Sequence, residues 1–384
     1  MRILAVDIGT GTQDILLFDS DEPIENSMQL ILPAPTMAVA GRIRAATAAG
    51  RPVVLDGTIM GGGPCSWAAE DHLRAGYALY ATPDAARTFD DDLERVAAMG
   101  VTLIDPAEVA GREAAGALRV TMRDFDPAAI LAALAGFGVA PRVDALCVAV
   151  FDHGNAPPGT SDRRFRFDYL AERLAAGGRT DLAAFAFLRD AIPPAMTRLH
   201  AAAHSPTGVL AELPLLAMDT GPAAVLGTLE VPALRAAAMA PAGALVVNVG
   251  NFHTLAFHLA GGAVAGLFEH HTGELTAAQL AGLLDRLAAG TLTNDEVFHT
   301  QGHGALVLAP TAAPPALCAV TGPRRAKLAA ASLSWPLLPA VPHGAMMLTG
   351  CFALLRALAH HWPPAQAPVA AVLGADEWPV VSGQ

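Results

Sequence analysis

Arg2-Ile-Leu-Ala-Val-Asp-Ile-Gly-Thr-Gly-Thr-Gln-Asp-Ile-Leu-Leu-Phe-Asp19 is the stretch whose reading decides the fold. It reads as a strand, a tight Gly/Thr turn and a second strand. The apolar run Ile3 to Val6 ends on Asp7, and the chain returns through Ile15 to Phe18. Gly9 and Gly11 bracket a turn in which backbone N–H groups and the Thr10 and Thr12 hydroxyls can converge on one anion, as a phosphate requires. Asp7, a carboxylate at a strand end, is placed to hold a magnesium ion through water. An ordinary hairpin with glycine in its turn is the alternative. An acidic strand end, two glycines and two threonines in so short a stretch weigh towards phosphate.

A chain of 384 residues suits two domains better than one core. Apolar residues make up 53% of it, yet no uninterrupted apolar run is long enough to span a bilayer, so no membrane partner is expected. A formal charge of −12 argues against nucleic acid. The first strand begins at Arg2, where removal of a leader would destroy it. Cys65, Cys147, Cys318 and Cys351 are dispersed without metal-ligand spacing, which fits buried thiols in a reducing cytoplasm. Lys327 is the sole lysine, and no Gly-x-x-x-x-Gly-Lys-Ser/Thr loop exists.

Strands are expected near Ile3–Asp7, Asp14–Phe18, Met28–Leu32, Pro52–Asp56, Tyr77–Ala81, Val101–Asp105, Leu118–Met122 and Val143–Val150. Helices are expected over Thr36–Ala49, Ser66–Ala75, Asp91–Met99 and Pro127–Phe137, the last with Asp126 as N-cap and proline at its first position. Phe165 to Ala203 reads as helical, Pro206–Leu213 as a linker, and the Ala/Pro-rich stretches Ala309–Pro315 and Pro363–Ala370 as loops.

Further segments offer chemistry. Asp152 and His153 sit at the end of an apolar strand, the end at which open α/β sheets bind ligands. The nearby Arg163, Arg164 and Arg166 either grip an anionic substrate or form a solvated basic loop. Gly61, Gly62 and Gly63 precede a helix start and make either an anion site or a flexible loop. Asp219 ends a short strand before a small-residue helix, as a proton acceptor or as that helix's N-cap. His270, His271 and His303 lie in glycine-flanked segments without the spacing of a zinc helix.

The opening hairpin resembles the first phosphate loop of the actin-like ATPase superfamily, which includes actin, the heat-shock chaperone ATPases and the sugar kinases. Later segments follow in the superfamily's order. Leu245 to His258 is similar to the second phosphate loop, Ala319 to Arg325 to the adenosine-binding turn, and Gly344 to Leu358 to the closing helix. The resemblance implies an α/β fold of two ribonuclease-H-like domains, residues 1–208 and 209–384, with a nucleotide cleft between them. It implies ATP and Mg2+ as cofactors. Gly9, Thr10, Gly11, Thr12, Gln13, Asn248, Gly250, Asn251, His253 and Thr254 would hold phosphates, and Gly322, Pro323 and Arg324 would flank the nucleoside. Asp219 would be the catalytic base beside Asp7 and Asp152, and His153, Gly61–Gly63, Arg163 and Arg166 would meet the substrate.

Met60-Gly-Gly-Gly-Pro, Asp152-His-Gly, Met218-Asp-Thr-Gly-Pro, Glu269-His-His-Thr-Gly, Gly302-His-Gly and Thr321-Gly-Pro-Arg-Arg together resemble one prokaryotic family of that clan. Its members carry the label pyruvate formate-lyase activating enzyme. The cysteines do not support such radical chemistry, which needs three close thiolates for its cluster. The implied activity is phosphoryl transfer from ATP to a small hydroxylated or carboxylated metabolite. An ATP-driven switch acting on a partner protein, or a nucleotide-binding protein without turnover, are the alternatives.

Overall fold

The computed structural model describes residues 1–157, 159–176, 179–309, 311 and 313–375. The opening stretch forms β1 (Arg2–Ile8) and β2 (Thr12–Asp19), followed by β3 (Met28–Pro33). An inserted unit then supplies β4 (Val53–Gly57), β5 (Leu79–Ala81), β6 (Thr102–Leu103) and β7 (Leu118–Met122), and the chain returns through β8 (Ala145–Val150), β9 (Ala186–Leu188) and β10 (Leu215–Asp219). The remaining strands are β11 (Ala244–Val249), β12 (His253–Ala260), β13 (Ala263–His271), β14 (Gly302–Val307), β15 (Cys318–Thr321) and β16 (Leu337–Pro339).

Among the described residues three sheets result. The first runs β3-β2-β1-β8-β10-β9 and the second β14-β13-β12-β11-β15-β16. Both contain one pattern: three antiparallel strands, then two strands parallel to the first of them. It is β3-β2-β1-β8-β10 in one sheet and β13-β12-β11-β15-β16 in the other. β8 is buried along its whole length, as expected of a central parallel strand covered on both faces. The inserted unit is an all-parallel sheet, β6-β5-β4-β7, with its own core around Val53, Leu55, Val120 and Met122.

The expected domain boundary after residue 208 falls ahead of β10, which pairs with β8 in the first sheet. The two large sheets therefore part between Asp219 and Ala244. The helix Thr349–His361 also packs back on β1, β8 and β10. It lies so close to the helix Thr220–Thr228 that a Cβ on Gly227 would collide with the Thr349 carbonyl. That contact joins the end of the helix Thr220–Thr228 to the start of the helix Thr349–His361.

Two expectations fail. Phe165–Ala203 is not one helix: helices at Asp162–Ala176 and Thr197–His204 flank a short 3-10 turn capped by Asp181 and strand β9. β9 finds backbone partners on β10, and Pro193 and Pro194 deny a continuing helix its N–H donors. Pro363–Leu373 is a helix rather than a loop. Its leading prolines sit where N–H groups have no helical partner, and Ala365, Val369 and Leu373 form a buried i, i+4, i+8 stripe. The loop expected at Ala309–Pro315 lies partly outside the described residues.

Candidate active site

The turns that end β1 and β11 are built alike. Gly9 N–H donates to the Thr12 carbonyl at 2.9 Å, and Gly250 N–H to the His253 carbonyl at 2.9 Å. A Cβ on Gly11 would run into the Asn251 side chain, so the two turns meet. Together they bound a cleft of about 430 Å³. Gly9, Thr10, Asn248, Gly250, Asn251 and His253 line it. Gly11, Thr12, Gln13 and Thr254 do not. The Gln13 amide donates to the Pro33 carbonyl, and the Thr254 hydroxyl is buried against that of Thr272. Gly322 sits beside Asn248, and Arg324 N–H donates to the Val249 carbonyl. Yet Gly322, Pro323 and Arg324 do not line the cleft. The sole lysine, Lys327, is tied to the Thr272 and Leu275 carbonyls.

Behind the first turn, and not among the residues that line the cleft, two acids lie together. Asp7 accepts from the Thr220 hydroxyl at 2.6 Å and stands opposite Asp14 in the β1–β2 pairing. Burial pushes the Asp7 carboxyl up to about 6, against the Thr220 hydrogen bond and helped by the Asp219 charge. Burial and then the Asp7 charge push Asp14 up to about 8. Among the described residues Asp14 Oδ1 is buried without a hydrogen-bond partner.

Asp219, expected as a base, is fully buried and committed. It accepts from Gly221 N–H as the N-cap of the helix Thr220–Thr228 and pairs with Arg166 at 2.5 Å. Arg166 is likewise not available to a substrate. Its guanidinium is fully buried, pairs with Glu269 at 2.9 Å, donates to the Asp152 carbonyl and lies 3.8 Å over the Phe151 ring. Burial acts to lower its pKa, but the two carboxylates overcome that and hold it raised. Arg163 is spent on the Phe298 and Gly302 carbonyls and stacks on the Phe298 ring. Asp152 borders the cleft and accepts from the Gly154 N–H on Oδ1 and the Leu199 N–H on Oδ2. Burial still holds its carboxyl raised.

The inserted unit closes the cleft. Gly61, Gly62 and Gly63 line it, and Gly63, at φ +64°, comes close to both Thr10 and Phe252. Beside that loop Met60 N–H donates to the Thr88 hydroxyl, which brings Arg87, Asp90 and Asp91 to the same cavity. Asp91 was not singled out in the sequence. Among the described residues its Oδ1 is buried without a partner, and its carboxyl is pushed up to about 6 by burial first and the Asp162 charge second. The only sequence signal is the Asp90-Asp91-Asp92 run, which reads as helix capping because Asp92 does cap the helix Leu93–Ala98.

Histidines fill the remaining wall. The Nε2 atoms of His153 and His303 are 3.0 Å apart, and the His253 ring stacks on Phe151 at 4.2 Å. Burial holds all three imidazoles well below the ordinary histidine value. His271 borders the cleft, with its Nδ1 on the Gln301 carbonyl, whereas His270 is turned to Thr300.

A family model described as "Putative pyruvate format-lyase activating enzyme (DUF1786)" matches residues 60–327, more than two thirds of the chain, and the chain belongs to that family. No curated protein matches it. Among solved structures the chain is similar to the inorganic polyphosphate/ATP-glucomannokinase from Arthrobacter sp. strain KM. The identity is 11% and the TM-score 0.37, over 94% of this chain and 99% of that one.

Proposed function

We propose that this protein binds Mg·ATP in the cleft and transfers a phosphoryl group to a small hydroxylated or carboxylated metabolite. The observation that carries this reading is the meeting of two matched glycine turns at one cleft, each on the central strand of an equally ordered sheet. In it, the two large sheets are ribonuclease-H-like domains arranged as in actin-like ATPases. The turns at Gly9–Thr12 and Gly250–His253 grip phosphates from two sides. Asp7 and Asp14 fit a magnesium ion, because an unpartnered buried oxygen and two raised carboxyls are relieved by a divalent cation. When bound, the ion would neutralise charge developing on the transferred group.

The substrate side belongs to the inserted unit. Arg87 supplies a cation for a carboxylate, and Asp91 accepts the proton of the attacking hydroxyl. Asp219 keeps a positioning role, holding Arg166 and capping the helix that presents Thr220. Activation by radical chemistry finds no support: Cys65, Cys147, Cys318 and Cys351 are buried free thiols, and none belongs to a metal-capable cluster among the described residues. An ATP-driven switch is favoured by one observation, the engagement of Asp219 by Arg166. The readings separate by ADP release, which in a kinase depends on one small molecule and in a switch on a partner.

Nucleotide binding is the first test. A ligand that binds only the folded state, at a hundred times its Kd, stabilises by about 2.7 kcal/mol. Mg·ATP should therefore raise the melting temperature. Gly11→Val, which drives a side chain into Asn251 between the turns, should remove that rise while the unliganded protein still melts cooperatively. No shift with any nucleoside triphosphate at millimolar level would overturn the reading.

A further inference from the structure

We propose that His153, His253 and His303 form a binding site for a transition-metal ion, zinc above all, with one coordination position open to the cleft. Their nearest ring nitrogens all lie within 4.8 Å of one another. The His153–His303 separation of 3.0 Å is close to the roughly 3.3 Å expected for two imidazole nitrogens at about 2.0–2.1 Å from one tetrahedral zinc. Among the described residues this is the one group of three or more His, Cys, Asp or Glu side chains so arranged. All-imidazole ligation suits zinc and its neighbours and not magnesium, which demands oxygen. The site is thus separate from the carboxylates Asp7 and Asp14, and it stands whether or not the cleft binds ATP.

Support behind the ligands has the form such sites need. Metal-bound imidazoles present their second nitrogen to a carboxylate or a carbonyl, which sets tautomer and ring orientation. His303 Nδ1 lies 3.1 Å from Glu269 Oε1. In the present rotamer Nδ1 faces the carboxylate off the hydrogen-bond direction. Glu269 is anchored from behind by Arg166, so the carboxylate cannot swing into the metal position itself. The Phe151 ring, stacked on His253 and edge-on to His153, holds the other two imidazoles.

The ligands come from different sheets. His153 follows β8 of the first, whereas His253 and His303 lie on β12 and β14 of the second. A bound ion would fasten the two walls together. Three protein ligands leave a fourth position, and His153 and His253 both border the cleft, so that position faces it. Open three-histidine sites are those that take water or a substrate oxygen.

Without metal, the same rings can share one proton, His153 Nε2–H donating to His303 Nε2. The test must tell these apart. Full-length protein is stripped with dipicolinate, dialysed and titrated with Co2+ and then Zn2+, following visible d–d absorption and metal content. We expect one Co2+ per chain, an absorption envelope of four- or five-coordinate cobalt, and its loss on adding Zn2+. His253→Ala, which keeps the backbone carbonyl that accepts from Gly250 N–H, should weaken binding at least 100-fold with unchanged circular dichroism. His303→Ala should do the same, and Glu269→Gln should weaken binding about 10–100-fold. No saturable cobalt band, or equal affinity in wild type and His253→Ala, would leave only the proton-sharing pair and overturn the site. Mg·ATP shifts measured on the same stripped protein are read separately.

Discussion

Arg166→Met should lower folding stability by about 3–5 kcal/mol, because removing one partner of a buried ion pair strands the other. Here two partners are stranded, Asp219 and Glu269, both fully buried. Asp219 would keep only the Gly221 N–H, and Glu269 only the off-axis contact with His303. The loss should depend on pH, and its sign follows from the charges. Without the guanidinium, each carboxylate is left in an apolar site, which raises its folded pKa above the unfolded value of about 4. Stability is then lost as pH rises from that value through the raised folded pKa. The deficit against wild type should therefore be small near pH 4 and largest at pH 8, as read from urea midpoints at both. Arg166→Met combined with Asp219→Asn and Glu269→Gln removes the stranded charges and should recover part of the loss. A midpoint unchanged at pH 8 would mean that the network contributes no stability.

That network shows where the sequence is legible and where it is not. The β1 turn could be read because everything that defines it is local: an acidic strand end, two glycines and two threonines within a few residues. The second turn has one glycine, one threonine and Asn248 in place of an acid, so it was legible through its order after the first turn rather than through its own chemistry. Arg163-Arg164-Phe165-Arg166 reads either as a grip for an anionic substrate or as a solvated basic run. Asp219 and Glu269, 53 and 103 residues further on, are what hold Arg166 buried. The histidines are a similar case. His153 and His253 were each noted singly, but the cluster with His303 is made by three strand ends from two sheets, and no spacing rule marks it. Pro363–Leu373 was misread for a different reason: its prolines signal a loop in isolation, and its apolar stripe becomes decisive only with the helix Thr349–His361 to pack on.

Asp91→Asn should lower turnover by about 10²–10⁴-fold, the usual cost of losing a positioned base. Mg·ATP affinity should be almost unchanged, since the residue lies on the inserted unit and not on the phosphate turns. A loss confined to the turnover rate marks an interaction made in the transition state. The pH profile carries a sharper test. A base must be ionised to act, and Asp91 is pushed up to about 6. Wild-type kcat/KM should thus climb with pH to a plateau, with its inflection near 6. Burial is the main cause, and the neighbouring charges set the remainder: Asp162 raises the value and Arg87 lowers it. Asp162→Asn should therefore move the inflection to lower pH, and Arg87→Gln to higher pH, although Arg87→Gln should also raise KM for an anionic substrate. Opposite shifts from two variants on one cleft wall are not expected of a merely structural aspartate. If Asp91→Asn turns over at the wild-type rate, or the inflection ignores both neighbours, the proton goes elsewhere. The remaining acids bordering the cleft near that loop, Asp90 and Asp162, are then the groups to replace.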